Sequence, residues 1–250
     1  MWDNPRQLNL AANALVGLAL LLFAFATLQA LLRSPAFPLR EVVVPEAPRH
    51  AARVEIEAAV EGLPGNFFAV DLGLLRQRLE QVPWVRRVEV RRAWPDRIEI
   101  RLEEHVPLAR WGDTGFVNTF GEPFVAALEE GVALALPLFA GPAGTEREVA
   151  RRYARFREVL AGLAAPEAPA PGLSAVVLTA RHAWQLRLAN GLQIELGRDG
   201  TEGVEPRLAR FVAAYPETLG KLGRRVGVDL PKVDLRYPNG FALRVMGLKG

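Results

Sequence analysis

Few residues of this chain have the type and spacing that covalent chemistry requires. There are two serines, Ser34 and Ser174, and neither lies in the Gly-x-Ser-x-Gly turn that exposes a hydrolase nucleophile. His50, His105 and His182 are far apart, with no His-x-x-x-His or His-Glu-x-x-His pair, so the sequence holds no zinc motif and they read as surface or cap histidines. Gly141-Pro142-Ala143-Gly144 lacks the lysine of a phosphate-binding loop and reads as a turn. Glu103-Glu104 and Glu129-Glu130 are adjacent rather than opposed, which gives a glycosidase pair no support. Trp84, Trp94, Trp111 and Trp184 could form a stacking platform for a base or sugar, but core packing and turn anchoring are the commoner uses and are expected here. No catalytic, cofactor or metal residue is expected, and the remaining class is a protein that binds others.

The composition agrees with a folded binder. Half of the 250 residues are hydrophobic, enough for one or two packed domains. The net charge of +3 comes from arginines interleaved with glutamates, as in Arg97-Ile98-Glu99-Ile100-Arg101-Leu102-Glu103, and such a surface does not suit nucleic acid. With no cysteine, neither a disulfide framework nor a thiolate metal site can form.

The candidate domains must be held at a membrane. Leu10 to Leu32 is a 23-residue apolar segment, without charge between Arg6 and Arg33. A helix of that length spans roughly 35 Å, enough for a hydrocarbon core of about 30 Å, and residues 1–9 would be a short tail. Ala24-Phe25-Ala26 resembles a signal-peptidase site, but the segment exceeds the apolar stretch of a cleaved signal, so a transmembrane helix is expected. Orientation stays open on charge alone, with Arg6 on the short side and Arg33 and Arg40 on the long side.

Residues 39–105 predict a β-α-α-β-β unit. Glu41-Val42-Val43-Val44 is a β-branched run closed by Pro45. A helix over His50–Glu61 carries Ile56, Ala59 and Val60 on one stripe and ends at Gly62-Leu63-Pro64-Gly65. Asp71 can cap a second helix with Leu72, Leu75, Leu79 and Val82 on one face, stopped by Pro83. Trp84–Arg92 and Arg97–Glu103 alternate apolar and charged residues around Ala93-Trp94-Pro95-Asp96, so opposite charges can pair on the outer face of a hairpin.

Residues 106–250 predict a mostly antiparallel β-domain with flanking helices. Short strands are expected at Phe116–Asn118 and Pro123–Val125, and Thr145 with Glu148 has the capping-box spacing for a helix to about Leu160. Ala164–Gly172 is a Pro- and Ala-rich connection. Strands at Ser174–Thr179, Trp184–Leu188 and Leu192–Leu196 follow, the last two joined by the hairpin signal Asn190-Gly191, and then a helix over Pro206–Tyr215. Val233–Tyr237 and Phe241–Val245, around Pro238-Asn239-Gly240, form a terminal hairpin whose last strand has no successor to cover its edge. Such an edge can receive a partner strand, or can simply be protected by charges and a bend; the physics alone leaves these equal.

Two strings resemble a known family. Pro83-Trp84-Val85-Arg86-Arg87-Val88-Glu89-Val90-Arg91-Arg92-Ala93-Trp94-Pro95-Asp96-Arg97 and Glu104-His105-Val106-Pro107-Leu108-Ala109-Arg110-Trp111 closely resemble the bacterial cell-division family FtsQ, called DivIB in some groups. The likeness continues in Leu138–Pro142, Thr179–Leu186, Arg207–Val212 and Val233–Gly240. The departures are a very short N-terminal tail and little chain after the final strand, which would leave few cytoplasmic contacts.

The resemblance implies an α+β protein: a single transmembrane helix, a POTRA-like domain over 39–105 and an FtsQ-type β-domain over 106–250. It implies an inner-membrane scaffold without enzymatic activity, its N-terminus cytoplasmic and its bulk periplasmic at the septum. Its C-terminal edge would bind FtsB, which associates with FtsL, and the complex would regulate septal peptidoglycan synthesis by FtsW and FtsI. Tyr237, Gly240, Phe241, Leu243 and Val245 are then the candidate edge residues, with Gly240 allowing the turn, and Arg236 and Arg181 are charged neighbours carried over from the matched motifs. A secretion or outer-membrane assembly factor would normally repeat its POTRA unit or carry a β-barrel, and an anchored cell-wall enzyme would need a site that the residues do not display.

Overall fold

The structure is a computed structural model that describes residues 5–32, 34, 37–113, 115–164, 169–200, 203–218, 232–237 and 240–244. Contacts within the chain divide it into Met1–Glu104 and His105–Gly250. The first unit opens with helix α1, Pro5–Leu32, whose apolar stretch Asn9–Leu31 is long enough to cross a membrane and is not buried against the other described residues. The helix starts before the apolar run and takes in Arg6, because nothing in the preceding residues breaks it.

After α1 come β1 (Glu41–Val43), α2 (Arg53–Val60), α3 (Leu72–Leu79), β2 (Val85–Ala93) and β3 (Arg97–Glu104). The sheet order is β1-β3-β2, with β1 parallel to β3 and the hairpin β2–β3 antiparallel. The β-α-α-β-β order is therefore as expected. Asp71 caps α3 by accepting from Gly73 and Leu74 N–H at 2.8 and 3.0 Å. The helix ends at Leu79, before Pro83, and Val82 is buried beyond it. Leu75, Leu79, Ile56, Val88, Ile98 and Ile100 fill the core between helices and sheet. On the outer face the register sets Arg87 against Glu103, Glu89 against Arg101 and Arg91 against Glu99, and Arg91 donates to Glu99 at 2.6 and 2.9 Å.

The second unit holds one nine-stranded sheet in the order β12-β11-β10-β9-β8-β7-β4-β5-β6 among the described residues. Its strands are β4 (Pro107–Trp111), β5 (Gly115–Asn118), β6 (Pro123–Phe124), β7 (Leu138–Ala140), β8 (Leu173–Leu178), β9 (Ala183–Leu188), β10 (Gln193–Arg198), β11 (Lys232–Asp234) and β12 (Ala242–Arg244). Adjacent chain segments pair antiparallel, whereas β4–β7, β7–β8 and β10–β11 are parallel because helical crossovers or long connections bring each strand back in the same direction. The helices are α4 (Glu130–Ala135), α5 (Glu146–Leu160) and α6 (Glu205–Ala214). Phe139, Phe156, Trp184, Ile194, Leu208 and Phe211 are fully buried where α5 and α6 cover the sheet.

Several local expectations change. Thr145 does not cap α5: its hydroxyl donates backward to Pro142 O at 2.6 Å, so the capping-box spacing is present without the box. Among the described residues β11 covers Lys232–Asp234, shorter than Val233–Tyr237 at its far end although Leu235 N–H still bonds Glu195 O on β10 at 2.8 Å, and Phe241 precedes β12. The connection expected over Ala164–Gly172 and the turn at Pro238-Asn239 lie in part outside the described residues. Trp84 and Trp184 are buried, but Trp94 is 81% exposed and is neither core nor packed turn anchor. His50 stacks on Trp84, and His105 stacks on Phe124 with Nδ1 2.9 Å from Asn118 Nδ2, so His105 belongs to a half-buried polar cluster rather than to a surface cap.

Glu104 closes the first unit by accepting backbone N–H from Arg49, His50 and Ala51 at 2.9, 2.9 and 2.7 Å. Burial alone would raise its pKa, but the three donors outweigh it and hold the carboxyl below its ordinary value. Glu104→Ala strands these donors and should cost about 2 kcal/mol, read as a lower urea midpoint. Because the folded pKa is depressed, the Glu104 contribution is complete above the ordinary carboxylate range, about 4.3, and is lost as pH falls through the lowered value; the variant should therefore differ from the parent at neutral pH and converge with it in acid.

Candidate partner-binding edge

Among the described residues, β12 ends the nine-strand order. It pairs antiparallel with β11 in the register Lys232–Arg244, Val233–Leu243 and Asp234–Ala242, and its other side makes no strand pairing. Ala242, Leu243 and Arg244 are all exposed. A short strand so placed offers backbone N–H and C=O groups along its outer side.

The apolar candidates separate on this edge. Leu243 is 37% exposed and Tyr237 is 54% exposed, both accessible to a partner. Phe241 is half-buried and meets the Phe211 ring edge-on at 5.5 Å, so its side chain anchors the β12 approach to α6. Gly240 is exposed between the two strands, and Val245 lies outside the described residues.

Beside the edge lies a groove at the ends of β9 and β10, lined by Arg181, Arg198, Arg207 and Arg236 with Glu195 and Asp199. Arg181 and Arg236 thus share one groove. Asp234 fixes Arg236 by accepting from Nε at 2.9 and 3.0 Å and from Nη2 at 2.6 Å. Hydrogen bonding to Asp234 raises the Arg236 pKa further, and the same bond lowers that of Asp234, so the pair stays charged throughout the neutral range.

Sequence reasoning missed the residues that seat Arg236. A β-bulge between Glu195 and Gly197 interrupts β10, and Gly197 has φ of +80°. A Cβ at Gly197 would lie 2.9 Å from Arg236 Cγ, so the missing side chain is where the arginine stem runs. Arg207, on the first turn of α6, donates from Nη1 to Leu196 O at 2.9 Å and Arg198 O at 3.0 Å, holding the bulge from the other side. Arg152 reaches from α5 to Asp199 and Glu205 and lies over the Trp184 ring, tying α5 and α6 to the same corner. The sole sequence signal was that Arg207 opens a matched string; Gly197 lies in none.

The comparisons with known proteins now bear on this geometry. Residues 37–105 match the POTRA domain of FtsQ type, and residues 109–236 match the C-terminal domain of cell division protein FtsQ/DivIB. This chain belongs to the FtsQ/DivIB family of cell-division proteins. The cell division protein FtsQ of Burkholderia pseudomallei is 44% identical over 252 residues, covering 100% of this chain and 96% of that protein. The FtsQ of Bordetella pertussis is 37% identical with 99% and 94% coverage, and that of Escherichia coli 34% identical with 82% and 72%. FtsQ membership supports a divisome role among divisome proteins, and the one long apolar helix among the described residues fits a single-pass inner-membrane protein.

Gly197→Ala combines a strained φ with a clash against Arg236 and should lower stability by about 1–3 kcal/mol in urea unfolding. In an Arg236→Ala background the clash disappears while the strain remains, so the two substitutions together should cost less than their sum.

Proposed function

We propose that this FtsQ-family chain is a non-enzymatic divisome scaffold that captures FtsB, and with it FtsL, by adding a partner strand to β12. In this reading residues 1–9 are cytoplasmic, residues 10–32 cross the inner membrane, and the POTRA-like domain, residues 39–105, and β-domain, residues 106–250, lie in the periplasm at the division septum. The assembled complex helps control septal peptidoglycan synthesis by FtsW and FtsI.

The observation that carries the reading is the end position of β12 in a mixed sheet, next to a groove that presents Arg181 and a clamped Arg236. Main-chain pairing supplies affinity without much side-chain demand, and alternate side chains supply selectivity. Tyr237 and Leu243 are the exposed contacts, Gly240 supports the approach to β12, and the fixed Arg236 with the nearby Arg181 favours an acidic partner residue beside the added strand. Val245 would extend the same edge.

The test is co-purification of residues 39–250 with an FtsB–FtsL pair. The intact fragment should capture the pair, and a fragment ending at Pro238, which lacks β12, should not. Leu243→Lys should weaken capture at least tenfold while circular dichroism stays unchanged; Phe241→Lys is a poorer probe because it also breaks the contact with Phe211. Equal capture by the truncated fragment would refute strand addition at this edge.

A further inference from the structure

At one end of the first unit, hydrogen bonds tie the chain leaving α1 to the loop at 65–70 and to the β2–β3 tip. Ser34, two residues beyond α1, donates its N–H to Leu31 O at 3.0 Å and accepts from Asn66 Nδ2 at 2.6 Å. Phe67 N–H then bonds Phe37 O, and Leu39 N–H bonds Gly65 O, both at 2.9 Å. The loop at 65–70 is thereby fastened to the chain as it leaves the anchor. Arg92 joins the β2–β3 tip to this loop by donating to the carbonyls of Phe67, Phe68 and Val70 at 3.1, 3.4 and 2.7 Å. Arg40 N–H completes the arrangement by bonding Asp96 O at 2.9 Å.

On this end stand Trp94, 81% exposed, and Phe68, 38% exposed, flanked by Arg40 and Arg97, which pair with Asp96 at 3.7 Å and Glu41 at 3.0 Å and keep most of their side chains accessible. An exposed indole at the tip of a hairpin leaves apolar ring surface in contact with water unless something covers it. Chain length says what is within reach. Two residues span at most about 7 Å, so Ser34 lies within about 7 Å of the end of α1, and Asn66 is one hydrogen bond of 2.6 Å beyond it. The interfacial layer on each side of a bilayer is about 5–8 Å thick, so with α1 in the membrane Ser34 stands at headgroup level and the loop bonded to it borders that layer. Tryptophan is suited to that layer, with its ring among the upper acyl chains and its N–H toward water, while arginines meet lipid phosphates.

We propose that the β2–β3 tip of the POTRA-like domain rests in the headgroup layer of the bilayer that holds α1, with Trp94 and Phe68 inserted and Arg40 and Arg97 facing phosphates. The contact rests on α1 being embedded in a membrane and is independent of strand addition at β12. It fixes the tilt of the first domain, because the Ser34–Asn66 bond and the inserted Trp94 are two separate attachments on one end.

The full chain in liposomes containing phosphatidylglycerol tests this. The emission of the parent minus that of Trp94→Phe isolates Trp94 from the other four tryptophans. That component should be quenched by most of its intensity when bromines sit high on the acyl chains, and much less when they sit near the bilayer centre. Since the chain has no cysteine, Ala69→Cys carrying an environment-sensitive fluorophore gives a second reading, a blue shift on reconstitution. A Trp94 component that is unquenched at either depth would overturn the proposal and leave the tip to a protein partner. Deep quenching exceeding shallow quenching would overturn the interfacial position.

Discussion

Arg207 spans the β10 bulge, with one guanidinium nitrogen bonded to the carbonyls of Leu196 and Arg198 on either side of Gly197. The bulge would otherwise leave these acceptors without strand partners at the corner where α6, β10 and β11 meet. Because Arg207 stands on the first turn of α6, the same bonds set where that helix starts, and Leu208 and Phe211 then bury against the sheet. Phe241 leans on Phe211, and so the approach to β12 inherits its position from a bulge in β10. The candidate binding edge is the last link of this chain of contacts.

The groove arginines gain from the same constraint. A free arginine loses considerable rotamer entropy when a partner fixes it, whereas Arg236 is already held by both oxygens of Asp234 and by the open space over Gly197. Such preorganisation reduces what binding must order. Arg181, exposed in the same groove, has no comparable clamp among the described residues, and the two arginines therefore differ in stiffness though they share a place.

The first unit depends more on local pattern. Alternation in β2 and β3 faces Val88, Ile98 and Ile100 inward and pairs Arg91 with Glu99 outside, and Asp71 caps α3, all legible from neighbouring residues. Thr145 shows the limit of spacing, since its backbone, at φ −96° and ψ 4°, lies outside the extended region a cap residue adopts, and its hydroxyl donates to Pro142 O instead. Trp94 shows another: residue type suggests burial, but a hairpin tip has no core beneath it, and the ring stands exposed.

What the sequence by itself determined was everything carried by short periods and local turns: the apolar length of α1, the β-α-α-β-β order, the Asn190-Gly191 hairpin, and the matched strings that pointed to FtsQ. These features depend on residues a few positions apart, so composition and spacing encode them directly. Only the tertiary structure decided that β11 runs parallel to β10, that Gly197 receives the stem of Arg236, that Arg207 grips the bulge, and that Phe241 faces inward while Leu243 does not. Each of these joins residues distant in the chain through one hydrogen bond or one contact, and a single pairing of that kind leaves no periodic trace in the sequence.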